Sequence, residues 1–297
     1  LVWKLASGGG LGFARAYLDG DWDTPDLGAV LQLGVVNEAA LGTVLDAPGP
    51  IRLVAFLRHR LRANTRAGSR RNIAFHYDLG NDFYRHWLDE TMTYSSALFL
   101  DEEMSLADAQ RAKYARIVEA LDLGPDDHVL EIGCGWGGFA EYAAAETGCR
   151  VTGLTLSHEQ AEFARERLAQ AGLADKAEIR LQDYRDCTGQ FDKIVSIEMF
   201  EAVGEKNWPT YFDALWALLK PGGRAVVQVI TIADEHFADY RRNADFIQTY
   251  IFPGGMLPSP SAFTSVATER GLAVLDQNFF GADYDRTLLA WDRAFVA

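Results

Sequence analysis

The chain changes rhythm along its length. From residue 129 onward, short apolar runs at 129–132, 150–154, 177–181, 192–197 and 224–230 alternate with longer stretches, 139–146, 158–170 and 207–219, whose apolar residues recur at helical spacing. Short apolar runs bounded by turn residues suit strands buried on both faces, and the longer amphipathic stretches suit the helices that cover them. Repeated strand–helix order predicts an α/β fold with a mainly parallel, doubly wound sheet. A further amphipathic stretch over 106–121 leads into the first strand, and 220–223 reads as the turn before the last. Ligands of such sheets sit at the carboxyl ends of the strands, here 133–137, 155–157, 182–185, 198–201 and 228–230.

The first 72 residues follow a different pattern. A glycine-rich turn is expected at 8–12, then a helical stretch over 13–18 and an acidic aromatic loop over 19–23. Helical spacing over 27–45 ends at Pro48 and Pro50, and another helix over 51–62 carries Leu53, Phe56, Leu57 and Leu61 on one side. This predicts a small helical domain, 1–72, ahead of a larger one, 73–297. Arg58, Arg60, Arg62, Arg66, Arg70 and Arg71 cluster at the junction. They make either a solvated linker or a contact with anionic lipid headgroups, where each basic residue contributes about 1 kcal/mol. Next comes an aromatic segment, 75–88, whose second half reads as a helix capped by Asn81. Phe83 and Trp87 suit a core; Tyr77, Tyr94 and Ser95 suit a ligand wall.

Composition narrows the function. A net charge of −14 argues against nucleic acid as the main partner, because phosphate binding needs a basic face. Cys134, Cys149 and Cys187 are odd in number and match no metal spacing, which points to free thiols in a reducing compartment. The six histidines are scattered, so no metal is expected. No apolar run approaches the ~18 residues of a membrane span. The chain begins at Leu1, and segments are expected to be missing at both ends.

The stretch 129–138, VLEIGCGWGG, carries the most chemistry. A strand, a glycine turn and a helix start let the backbone approach a ligand closely. Gly133, Gly135 and Gly138 also fit the dinucleotide pattern G-x-G-x-x-G. A dinucleotide site wants an acid about 20 residues on, for the ribose. The next strand instead ends in Thr155, Leu156 and Ser157, and the acid, Glu131, precedes the first glycine. E-x-G-x-G-x-G, here Glu131, Gly133, Gly135 and Gly137, is the signature of S-adenosylmethionine (SAM) methyltransferases, and a carboxylate there suits a cationic ligand.

The chain resembles the cyclopropane fatty acid synthase family, which includes the mycolic acid cyclopropane synthases. The matching stretches are FHYDLGNDF (75–83), MTYSSALF (92–99), 129–138, GLTLSHEQ (153–160), QDYR (182–185), FDKIVSIEMFEAVG (191–204), YIFPGGMLPS (250–259) and FGADYDRTL (280–288). The resemblance implies a Rossmann-like methyltransferase that holds SAM through Tyr94, Ser95, Gly133, Gly135, Thr155, Leu156, Gln160, Asp183, Tyr184 and Arg185. The residues agree: Gln160 opens the helix after the second strand, where its amide reaches a ribose, and Asp183 ends the third, where it accepts from an adenine amine. The implied reaction adds the SAM methyl carbon to a cis double bond of a phospholipid acyl chain. The implied base is bicarbonate, held by Ser96, Glu201, Gln228, Ile230 and Tyr284. Two positions depart from the pattern, Ser96 for the usual Cys and Gln228 for the usual His. An amide cannot relay a proton as an imidazole does, so an open methyl-branched or methylene product stands as the alternative to the ring. Tyr250, Ile251, Phe252, Met256, Leu257, Phe279 and Phe280 could line an acyl tunnel or pack as ordinary core. A small-molecule methyltransferase and an inactive SAM- or lipid-binding regulator are the other readings. The expected location is cytoplasmic, peripheral to the inner face of an anionic membrane; a homodimer is left open.

Overall fold

The computed structural model describes residues 1–37, 40, 80–242 and 245–297. The arginine cluster, Tyr77 and the helix expected over 51–62 lie outside the described residues. The chain divides into two units, Leu1–Ala63 with Glu235–Gly254, and Asn64–Asp234 with Gly255–Ala297.

In the first unit, α1 (Val2–Leu18) continues through the glycine-rich stretch with a single break at Gly9, at φ 56° and ψ −141°. The expected turn over 8–12 is therefore a kink inside a helix. Trp22 closes the acidic loop back on α1: its ring stacks on Phe13 at 4.4 Å, and Nε1 donates to the Phe13 carbonyl at 3.1 Å. Helix α2 (Leu27–Val36) starts where the Asp26 side chain accepts from the Ala29 N–H.

The second unit holds the sheet. β1 (His128–Ile132), β2 (Arg150–Thr155), β3 (Ala177–Leu181), β4 (Phe191–Ile197) and β5 (Leu219–Gln228) are all parallel, in the order β3-β2-β1-β4-β5. The order runs outward from the β1–β4 pair in both directions, which makes that pair the switch point where such sheets open a crevice. Val129, Leu130, Val151, Leu154, Ile194 and Val195 are all buried, as central parallel strands require. The helices are α3 (Asn81–Arg85), α4 (Leu106–Leu121), α5 (Gly138–Thr147), α6 (His158–Gln170), α7 (Trp208–Leu218), α8 (Pro260–Glu269) and α9 (Gly281–Phe295). Ile117 and Leu121 of α4, Phe139 of α5 and Leu168 of α6 form one core with Val129, Val151 and Val195. A second, aromatic cluster joins Tyr84, Leu88, Met92, Trp136 and Trp291, so it ties α3 and α9 to the glycine loop.

Two local expectations change. The stretch 220–223 is a bulge inside β5 rather than a turn before it. Phe191 pairs with Leu219 and Lys193 with Arg224, so the four residues are looped out opposite residue 192. Asn81 is the first residue of α3, with Gly80 at the cap position. Its carboxamide oxygen instead accepts from Trp136 Nε1 at 2.6 Å, so an indole of the glycine loop has claimed it. Among the described residues, no helix is long and apolar enough to cross a membrane.

Candidate active site

The chain leaves β1 through Gly133, Gly135 and Gly137, at φ 85°, 51° and 81°. A Cβ on Gly135 would meet nothing within 4 Å, so bare backbone faces open space there. A Cβ on Gly133 would lie 2.8 Å from Met199 Cγ, so the glycine loop lies against the turn that follows β4. Glu131 is 2% exposed and its Oε2 has no hydrogen-bond partner. Burial pushes its carboxyl up to about 8, held back by the charge of Lys113. A buried carboxyl with an orphaned oxygen, two residues before an open glycine backbone, leaves a polar group unspent for a ligand such as SAM.

After β2, Thr155 Oγ1 donates to Gln160 Oε1 at 2.8 Å. That fixes Gln160 with its NH2 as the donor end, next to half-buried Leu156. After β3, Arg185 grips both oxygens of Asp183, through Nε at 2.9 Å and Nη2 at 2.6 Å. The expected adenine acceptor is thus shared with an internal guanidinium. Burial pushes the neighbouring Tyr184 hydroxyl up to about 12. Tyr94 lies in the aromatic cluster, 5.4 Å from the Trp291 ring, and Ser95 Oγ accepts from Lys113 Nζ at 2.6 Å.

After β4 and β5 the site changes character. Glu198 Oε1 accepts from the Ser96 N–H at 2.9 Å and from Gln228 Nε2 at 2.8 Å. Gln228 Nε2 also reaches the Ser96 carbonyl at 3.2 Å, and the Glu198 N–H donates to the Gln228 carbonyl at 2.9 Å. Glu201 Oε1 accepts from the Ile230 N–H at 2.5 Å, while its Oε2 is buried without a partner. Burial, and then the neighbouring Glu198 charge, push Glu201 up to about 8. Burial also raises Glu198, against the opposing pull of Lys113, Ser96 and Gln228. Helix α9 brings Tyr284, whose hydroxyl is raised by burial and then by the charges of Glu198, Tyr94 and Glu201. One turn later Thr287, fully buried, accepts from the Ala97 N–H at 3.0 Å and pins α9 to the 96–97 segment.

Ser96, Glu201, Gln228 and Ile230 therefore converge, with Tyr284 within the field of both carboxylates. The donors expected to hold bicarbonate are nevertheless engaged by the chain itself, Ser96 N–H and Gln228 by Glu198 and Ile230 N–H by Glu201. A bicarbonate anion would compete for those donors against two carboxylates, so the residues present do not fit it. Sequence reasoning assigned no role to Glu198 or to Lys113, a 2% exposed cation. Both left a signal: Glu198 is a second acid three residues before Glu201, and Lys113 stands on the apolar stripe of α4. Of the residues expected to line a tunnel, Met256 is buried and Phe279 is 67% exposed, while Tyr250, Ile251 and Phe252 belong to the other unit.

A family model described as mycolic acid cyclopropane synthetase matches residues 64–297. A tuberculostearic acid methyltransferase of Mycobacterium tuberculosis is 40% identical over 306 residues, covering 100% of this chain and 71% of that protein. The cyclopropane-fatty-acyl-phospholipid synthase of Escherichia coli is 39% identical over 302 residues, covering 99% of this chain and 74% of that protein. A solved mycolic acid cyclopropane synthase, complexed with S-adenosylhomocysteine and CTAB, superposes with a TM-score of 0.71 at 32% identity, over 76% of this chain and 82% of that one.

Proposed function

The chain belongs to the mycolic acid cyclopropane synthetase family, and from that premise we propose that it transfers the SAM methyl carbon to the cis double bond of an unsaturated phospholipid acyl chain. It is a SAM-dependent methyltransferase on a parallel five-stranded sheet. The observation that carries the reading is the contact between the open glycine loop after β1 and the carboxylate-bearing turn after β4, made by Met199 against Gly133.

SAM, when bound, supplies an electrophilic methyl group. Gly133, Gly135 and Gly137 would offer it close backbone, Glu131 would lie beneath that backbone, and Gln160 and Asp183 would hydrogen-bond its ribose and adenine. Tyr94, Ser95, Thr155, Leu156, Tyr184 and Arg185 complete that wall. An isolated alkene has no proton to lose before it reacts, so the chain needs no base for the attack. It needs one afterwards, and Glu201, Gln228, Ser96, Ile230 and Tyr284 form the end of the site where the proton leaves. Ring closure makes the cyclopropane. A second reading, loss of a proton without ring closure to leave a methylene or a methyl-branched unsaturated chain, is favoured by Gln228 in place of the family's usual His. It also draws on the likeness to the tuberculostearic acid methyltransferase along the whole chain.

Residues 73–297 would act as the methyltransferase domain. Residues 1–72 would dock it, through the arginines from Arg58 to Arg71, on the anionic cytoplasmic face of a membrane. The test is incubation with vesicles of cis-unsaturated phospholipid and methyl-labelled SAM, then mass spectrometry and proton NMR of the acyl chains. Label in ring protons is expected. Label in an olefinic methylene selects the second reading, and no label in any acyl chain overturns both.

A further inference from the structure

We propose that the proton acceptor of this enzyme is part of its chain: the Glu198 carboxylate, braced by Ser96 and Gln228 and set beside Glu201, does the work that the family resemblance gives to bicarbonate. The inference rests on the acyl-chain reading above. Its geometric basis is the donor set. The Ser96 N–H and Gln228 Nε2 both end on Glu198 Oε1, and the Ile230 N–H ends on Glu201 Oε1. Handing these donors to an outside anion would strand two recessed carboxylates without the hydrogen bonds that now satisfy them.

Four further observations point the same way. Glu198 holds a left-handed backbone, φ 47°, which few non-glycine residues adopt, and strain of this kind clusters at functional positions. A glycine would sit there more easily, yet the position carries a carboxylate. The two departures from the family pattern, Ser96 and Gln228, are the two residues that brace it. An amide cannot accept and release a proton near neutrality, so acid–base work falls to the carboxylates. The next residue, Met199, lies against Gly133 of the cofactor loop, which puts Glu198 beside the transfer site. The pair also divides its labour. Burial and the Glu198 charge raise Glu201 to about 8; burial raises Glu198 too, but Lys113, Ser96 N–H and Gln228 pull it back, so Glu198 is the one of the pair that its partners draw towards the charged form.

The step balances without any further reagent. The alkene π pair forms the new carbon–carbon bond to the methyl group, and the carbon–sulfur pair returns to sulfur, turning sulfonium into thioether. The carbocation left on the neighbouring carbon is relieved when Glu198 takes one proton. For the ring, that proton leaves the transferred methyl group and the electrons of its carbon–hydrogen bond close onto the cation; in the second reading a 1,2-hydride shift first moves the cation to the methylated carbon, and the same electrons then form the methylene double bond. Glu198 then passes the proton to solvent.

The experiment uses the full chain in carbon dioxide-free buffer, with 13C-bicarbonate as a probe in NMR. Wild type should show no bicarbonate binding and no rate change when bicarbonate is removed or added. Glu198→Gln should lose about 100- to 10,000-fold in turnover with SAM affinity kept. Glu198→Gly, whose backbone suits the left-handed conformation, frees Ser96 N–H and Gln228. It should bind bicarbonate and recover roughly tenfold or more when the anion is added. Bicarbonate binding or dependence in wild type overturns the proposal, as does a Glu198→Gln enzyme within about threefold of wild type. A Glu198→Gly protein that fails to bind the anion, or binds it without recovering rate, also overturns it. If no form of the protein labels any acyl chain, the proposed function falls; the binding measurement still decides whether Glu198 occupies the anion's donors.

Discussion

The ends of β1, β2 and β3 and the ends of β4 and β5 face the same crevice with different materials. On the first side the groups offered to a ligand are glycine backbone, the amide of Gln160 and a carboxylate already gripped by Arg185. On the second they are two carboxyls raised by burial, Glu201 further by the charge of Glu198, with an unpartnered oxygen on Glu201. The first side can bind, because the backbone and amide groups it offers are set by strand ends and helix starts, with Glu131 recessed in β1 behind them. The second can do chemistry, because recessed charges respond strongly to one proton more or less. A substitution on the first side should therefore change affinity, and one on the second side should change turnover.

After Glu198, the largest effect is expected from Glu201→Gln. It replaces the carboxyl within the field of the acceptor by an amide that cannot exchange a proton, and turnover should fall about 100-fold. SAM affinity measured by calorimetry should move by no more than about twofold, since the loss falls after binding. A matched loss in affinity would erase the distinction between the two sides. Tyr284→Phe belongs to the same side and should cost roughly ten- to a hundredfold in turnover, the worth of one hydrogen bond to a charged partner. Retention of full rate by the Phe variant would remove Tyr284 from the chemistry.

Gly135→Ala tests the other side. The added methyl meets no protein atom within 4 Å but projects into the space of the ligand, and φ 51° disfavours alanine. SAM affinity should fall tenfold or more, roughly 1.4 kcal/mol or above, with the sheet intact by circular dichroism and turnover largely restored at saturating SAM. Unchanged affinity would show that no ligand approaches the loop there.

How far each side could be read from the sequence follows from the same difference. Strands, helices and the glycine loop are local: period and glycine suffice to place them, and the strands at 150–154 and 177–181 fall within a residue of the observed ones. Glu198 is not local. Its meaning depends on Ser96, 102 residues earlier, and Gln228, 30 residues later, folding onto one oxygen. Asn81 and the glycine-rich start of α1 failed for a related reason, since a side chain that could cap and glycines that could turn were claimed by tertiary and helical partners. Lys113 was legible in principle. Gln110, Lys113, Tyr114, Ile117 and Leu121 form the buried face of α4, and a lysine on such a face implies carboxylates opposite.

Lys113→Met gives the smallest expected effect and the sharpest view of how the two sides are joined. Burial pulls the Lys113 ammonium down from 10.5 to about 7, while Glu198, Asp89 and Glu131 hold it up. Its charge thus acts on Glu131 of the binding side and Glu198 of the chemical side at once. Turnover should fall only about threefold, because Lys113 works through its field, and the rising limb of the pH–rate profile should move to higher pH. Stability carries the clearer sign. Glu131 and Glu201, raised from 4.5 to about 8, keep protons in the fold that the unfolded chain has lost, so their contribution is full below about 4.5 and disappears as pH rises through 8. Lys113 runs the opposite way: its folded value lies below its ordinary one, so its cost is greatest below about 7 and fades towards 10.5. Methionine removes that cost at every pH. The melting temperature of the variant should therefore exceed that of wild type most near pH 6, and the gap should shrink steadily as pH rises through 8. Loss of the cation lets Glu131 and Glu198 rise further, which narrows the gap in the same direction. A gap that stays flat with pH would mean that Lys113 does not carry its charge between the two sides, and the binding and chemical halves of the crevice would then be electrostatically independent.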